Sequence, residues 1–246
     1  ATPYIDVPAG VTLNIGIAPP TSTSVNDTLV NIPVVLNNGG SYVAIANGVL
    51  NPANFAVNPD ARPIGFQLLA AANTREASQN GTDVDFIVLH GATDAPTVDV
   101  LARNVATLVD NAAYGDITNY ITVPASSYIL DVTPGNDNTT IVASYTADLT
   151  TLGGGAAVVF ASGFLNPAAN QNGEAFGLFA ALPNGTVVAF PAVSQARLQV
   201  IHNAADPAAA SVDVYVNGNL LLDNFAFRAA TPYIDVPAGV TLNIGI

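Results

Sequence analysis

The chain has 246 residues, 50 % of them hydrophobic and 9 % charged, a balance that excludes a disordered polymer and suffices for one large or two ordinary domains. Five basic against 18 acidic residues give a formal charge of −13, which repels a phosphate backbone, so nucleic acid is excluded as a partner. Cysteine, methionine, tryptophan and lysine are absent, which removes disulfides, thiolate nucleophiles, cysteine-held metals and lysine Schiff bases or crosslinks.

In chain order, the first element is Tyr4 to Val7, joined through Pro8-Ala9-Gly10 to Val11, Leu13, Ile15 and Ile17, which alternate with Thr12, Asn14 and Gly16. Period two buries one face of a strand and wets the other, so residues 1 to 17 are predicted to form a β-hairpin. Further strands are expected at Leu29 to Leu36, Ser41 to Ala46, Val84 to His90, Ser127 to Val132, Thr139 to Tyr145, Ala156 to Ser162, Ala175 to Leu182 and Thr186 to Phe190. Asn-Gly, Gly-Gly, Asn-Pro and Pro-Gly breaks separate them. Pro33 marks its strand as an edge. Leu68 to Ser78 alone carries helical propensity and reads as well as a strand entering a linker. No run approaches 18 apolar residues and no charged leader precedes an apolar one, so membrane insertion is not expected.

The chain ends carry the strongest signal. Residues 1 to 17, ATPYIDVPAGVTLNIGI, recur unchanged as residues 230 to 246, an offset of 229 residues from 1 to 230. Seventeen consecutive identities exclude chance and ancient drift. The expectation is a window, processed or excised, from an array of near-identical units, with a permuted chain as the alternative.

A second repeat lies inside the first. Val200-Ile201-His202-Asn203-Ala204-Ala205-Asp206-Pro207 followed by Val212-Asp213-Val214 answers Val88-Leu89-His90-Gly91-Ala92-Thr93-Asp94-Ala95-Pro96 followed by Val98-Asp99-Val100. Tyr233 to Ala238 answers Tyr120 to Ala125, Gly48-Val49-Leu50-Asn51-Pro52-Ala53 answers Gly163-Phe164-Leu165-Asn166-Pro167-Ala168, and Gly65-Phe66 is paired with Gly177-Leu178. Two homologous domains per repeat follow. Residues 83–195 hold one whole, while the other is split, its opening strands at 196–246 and its later strands at 1–82. The density of short strands and turns predicts an all-β fold of antiparallel β-sandwich domains of the immunoglobulin-like or Greek-key type.

At the H-x-A-x-D-x-P and V-D-V stretches the sequence resembles the secreted bacterial surface domain of unknown function 4397. That resemblance implies an exported β-sandwich, often in tandem, and brings no catalytic residues.

His90 and His202 each end a strand four residues before an Asp, and a structural role is preferred, bonded to a loop carbonyl or the Asp. Asp94 with Asp99, and Asp206 with Asp213, are the candidate oxygen ligands for Ca²⁺, weighed against turn capping. No other cofactor and no enzyme activity is expected: Glu76 and Glu174 are the only glutamates and sit far apart in sequence, and no G-x-S-x-G or H-E-x-x-H pattern occurs. Asn26, Asn80, Asn138 and Asn184 fit the N-glycosylation pattern.

Absent chemistry and present repetition together point to an extracellular filament or surface fibre whose main partner is itself. The duplicated segment supplies the assembly residues: Ala1, Tyr4, Val7, Val11, Leu13, Ile15 and Ile17, with Tyr233, Val240, Leu242, Ile244 and Ile246 in the second copy. A covalent tandem array is preferred over separate subunits in which one chain's hairpin completes the next chain's split domain. The competing reading is an adhesin that contacts cell-surface protein or glycan through Tyr114, Tyr120, Tyr145 and Tyr215.

Overall fold

The computed structural model describes residues 1–216, 218–238 and 242–246, and the chain divides into two compact units, Ala1–Ala192 and Val193–Ile246. The first unit carries β1 (Thr12–Ile17), β2 (Val30–Val35), β3 (Tyr42–Asn47), β4 (Gln67–Ala72), β5 (Asp83–His90), β6 (Val98–Ala102), β7 (Ala106–Ala112), β8 (Ile121–Pro124), β9 (Ser127–Pro134), β10 (Ala143–Asp148), β11 (Ala156–Ser162), β12 (Gly177–Ala181) and β13 (Val187–Ala189). The second carries β14 (Gln195–Leu198), β15 (Ser211–Val216), β16 (Asn219–Ala226), β17 (Ile234–Pro237) and β18 (Ile244–Gly245). The fold is all-β, with short 3-10 turns between strands.

Strands β5 to β13 form two sheets, of order β10-β9-β6-β7 and β13-β12-β11-β5-β8. Their inward residues share one core: Val100, Val109, Leu130 and Val132 from the first sheet meet Val84, Phe86, Val159 and Leu178 from the second. Two layers closing on one apolar interior make a sandwich-like domain. The expected purely antiparallel pairing needs one correction, because β5 and β11 run parallel from Ala156 opposite Asp85 to Ala161 opposite His90. Parallel neighbours require a long crossover, and here the connection passes through the whole opposite sheet.

Residues 1–82 contribute two isolated ladders, β1-β2 and β3-β4. Each reproduces part of the complete domain. Thr12 pairs with Val35 and Ile17 with Val30, as Ser127 pairs with Asp148 and Val132 with Ala143. Asn47 pairs with Gln67 as Ser162 pairs with Gly177. Gly48 and Gly163 both take positive φ, 88° and 86°, and a Cβ at either would overlap a facing backbone carbonyl. Val49 bridges Gly65 as Phe164 bridges Ala175. The register therefore aligns Gly65-Phe66 with Ala175-Phe176, two residues from the Gly177-Leu178 match read in the sequence, where two nearby glycines were equated.

Among the described residues, the duplicated segment does not pair as a hairpin in either copy. In the first, Tyr4 to Val7 lies outside any strand, with the Tyr4 N–H donating to the Pro183 carbonyl at 3.2 Å, and β1 pairs with β2. In the second, β17 pairs with β14 while β18 pairs with β15, in separate ladders. The complete domain explains why: β8 joins the β5 sheet and β9 joins the β6 sheet, so Ala125-Ser126 is a corner between layers. Pro8-Ala9-Gly10 is the sequence counterpart of that corner.

Leu68 to Ser78 opens as strand β4, the second of its two readings, while the strand predicted at Thr139 begins instead at Ala143. Asp137 captures the Thr139 N–H and the hydroxyls of Thr139 and Thr140, which holds those residues in a turn. Pro33 lies opposite Asn14 on β2, which among the described residues pairs with β1 alone. Its counterpart Thr146 points its N–H away from β9, to the Pro191 carbonyl at 2.9 Å, so a proline at this register costs no rung of the β1-β2 ladder.

In the second unit the three-stranded order β16-β15-β18 answers β7-β6-β9, and β14-β17 answers β5-β8. Tyr215 faces Gly245 and Val216 faces Ile244, as Leu101 faces Asp131 and Ala102 faces Leu130.

Candidate functional site

The aspartates do structural work through their carboxylates. Asp94 accepts the backbone N–H groups of Leu165 and Asn166 and the Nδ2–H of Asn170, each at 2.9 Å. It thereby ties the β5-β6 loop to the β11-β12 loop and joins the two repeated motifs, H-x-A-x-D and L-N-P-A. The order of the motifs was legible in the sequence; their meeting was not. Asp99 accepts the Asn111 N–H and Asp213 the Asn224 N–H. Both asparagines sit at positive φ, 53° and 52°, beside register shifts in the β6-β7 and β15-β16 ladders. Asp206 accepts the Ala208 N–H at 2.9 Å. The four calcium candidates thus each accept a backbone N–H group, and among the described residues no three His, Asp or Glu side chains gather around one point.

His90 is buried at the end of β5, with Nε2 2.9 Å from the Pro96 carbonyl and its ring edge-on to Tyr114. A carbonyl only accepts, so Nε2 carries the proton. Burial holds the His90 pKa below its ordinary value, partly offset by the Pro96 carbonyl. His202 has the same placement: Nε2 donates to the Ala209 carbonyl at 2.8 Å, while Nδ1 accepts the Ala204 N–H at 3.3 Å. Both nitrogens of His202 are occupied in the neutral ring.

Other polar contacts fix frames rather than reacting groups. Arg75 reaches Asp85 at 2.7 Å and covers the Tyr120 ring at 4.1 Å, and Asp85 also accepts from Thr122 and the Gln79 N–H. Of the aromatic candidates, Tyr114 and Tyr145 are core residues and Tyr120 lies beneath Arg75, while Tyr215 is exposed on β15. Glu76 and Glu174 take no part in these clusters.

The split strands form the other candidate surface. In the complete domain β9 lies between β10 and β6, and β11 between β12 and β5. Their counterparts β1 and β3 each have one strand partner among the described residues, and β14, counterpart of the doubly flanked β5, pairs only with β17. Apolar side chains are left uncovered there. Ile201 is 63 % exposed where its counterpart Leu89 is 2 %, and Ile244 is 53 % exposed where Leu130 is 7 %. Ala44 and Ala46 are exposed where Val159 and Ala161 are buried. Of the expected assembly residues, Leu13, Ile15 and Ile17 line the half-buried face of β1; Val11 precedes it, and Ala1, Tyr4 and Val7 precede any strand. Tyr233 stands before β17, Leu242 and Ile246 flank β18, and Val240 lies outside the described residues.

No curated protein and no solved structure matches the chain. A family model described as a domain of unknown function, DUF4397, matches residues 84–176 and 196–246, more than half of the sequence. The two matches begin at equivalent places, one residue into β5 and one residue into β14. One model thus matches β5 to β11 of the sandwich-like domain and the opening strands of its repeat, and the chain belongs to the DUF4397 family.

Proposed function

We propose that this chain is a structural repeat of an extracellular filament or surface fibre, built from tandem β-sandwich domains and serving attachment or matrix. One observation carries the reading. The same 17 residues occur at both ends of a 229-residue period, once leading the later strands of a domain and once following its opening strands. Repetition at that period adds length without new folds, and each added unit buries its own neighbours' surfaces.

The chemistry supports a scaffold over an enzyme. The internally repeated polar positions Asp94, Asp99, His90 and His202 are occupied by backbone groups, and the ion pairs brace strands and the linker. An acidic, lysine-free surface rich in Asn and Thr suits an exterior exposed to water and offers few cleavage sites to trypsin-like proteases. Export follows the family resemblance. Negative-stain micrographs of the native source, together with the denatured mass of the polymer, test the proposal: fibres with an axial repeat set by paired domains are expected, and a compact solitary particle overturns it.

A further inference from the structure

We propose that the C-terminal unit accepts residues 12–72 of a second copy of this chain, whose β1 replaces β18 on β15 and whose β3 lies parallel beside β14. This rests on the fibre reading and names its joint. The complete domain is the template. Its β6-β9 ladder puts Val214 opposite Ile17 of the second copy, Tyr215 opposite Gly16 and Val216 opposite Ile15. Its parallel β5-β11 ladder puts Arg197 opposite Ser41, Val200 opposite Ala44, Ile201 opposite Ile45 and His202 opposite Ala46.

Three observations support the exchange. First, β18 repeats Ile15-Gly16 of β1, and among the described residues β18 pairs with β15 at two positions while β1 is already locked to β2 through six. The incoming strand makes the same rungs on β15 and brings a second ladder with it. Second, the joint covers the exposed Ile201, Ala44 and Ala46, whose counterparts are core residues. Third, the aspartate clasp acquires its missing half. Asp94 holds the N–H groups of Leu165 and Asn166; the equivalent groups of Leu50 and Asn51 belong to the N-terminal half, and the equivalent carboxylate is Asp206 in the C-terminal unit. At the joint Asp206 takes the Leu50 and Asn51 N–H groups of the second copy. A covalent array makes the same contacts between consecutive repeats, so the joint is independent of how the chains are linked.

The chain contains no cysteine, so engineered pairs report without background. Ile15→Cys and Val216→Cys chains, mixed and oxidised, are expected to give a dimer whose disulfide maps between those positions. Its absence, or equal yield from a Thr12→Cys partner three residues out of register, overturns the proposal. Asp206→Ala lies on an exposed turn outside the complete domain. It is expected to weaken self-association of the full chain, read by sedimentation, by about tenfold while leaving the main melting transition unchanged. Association unchanged in Asp206→Ala, or a wild-type chain that stays monomeric, also overturns it. An in-register disulfide without fibres in the native source leaves this joint standing and removes the fibre reading; fibres without the disulfide do the reverse.

Discussion

Arg103 grips Asp131 with two nitrogens, Nε to Oδ2 at 2.8 Å and Nη2 to Oδ1 at 2.6 Å, and the Ser144 hydroxyl donates to the same carboxylate. The three residues cross β9 and β10 from the β6-β7 turn. The shared hydrogen bond and charge push the arginine pKa up, and the buried carboxylate has no water to fall back on. Arg103→Ala leaves that charge without its cation and is expected to cost about 3 kcal/mol in urea unfolding. Arg103→Lys keeps the charge but loses the fork and is expected to cost about half as much.

The Asp94 clasp predicts a similar loss by a different route. Asp94→Ala strips three hydrogen bonds from two loops and is expected to cost about 2–3 kcal/mol, read as a lower melting temperature of the complete domain. Because that carboxylate already serves N–H donors, excess chelator is expected to leave the melt of the wild-type chain unchanged. A drop in melting temperature on chelation would show a bound cation instead.

Gly163 is held at φ 86° against the Ala175 backbone. A methyl group there meets a carbonyl that cannot yield without breaking the Phe164–Ala175 bridge. Gly163→Ala is expected to destabilise the domain by about 2 kcal/mol or more, whereas alanine at Gly81, which has open space and ordinary φ, is expected to be nearly neutral. Comparative thermal melts check the pair.

Acid should act through His90. Burial lowers its folded pKa below the ordinary 6.5, so the unfolded chain binds the proton more readily. The histidine's contribution is complete above about pH 6.5 and is lost as pH falls from there through the lowered folded value. Stability measured between pH 7.5 and 5 is expected to fall less steeply in His90→Gln than in wild type. Asp137 acts with the same sign in a lower window: the Thr139 and Thr140 hydroxyls hold its pKa down to about 2, so its contribution is complete above about pH 4 and is lost as pH falls from there towards 2.

Strand order along the chain was legible because Val, Leu and Ile alternate with Thr and Asn, as at Leu13, Ile15 and Ile17. Partnership was not. Residues 4 to 17 satisfy every local rule for a hairpin, yet β1 pairs with β2 and, in the second copy, β17 pairs with β14. Likewise the parallel β5-β11 contact leaves no trace in either strand's composition, since the runs Phe86 to Leu89 and Ala156 to Ala161 are wholly apolar and read alike in either direction. The aspartates were legible as special positions through their repetition, but a carboxylate that binds calcium and one that clasps distant N–H groups have the same letters. The Asp94 clasp spans 71 residues to Leu165, beyond the reach of any spacing rule.

Pro33 sets a boundary on growth. A sheet whose outermost strand offers an unbroken row of donors can recruit neighbours sideways and thicken into aggregates. On β2 that row is interrupted where the counterpart Thr146 would present its amide outward. Lateral recruitment is thereby discouraged at this edge of β2, and the polymer proposed above would lengthen while staying thin.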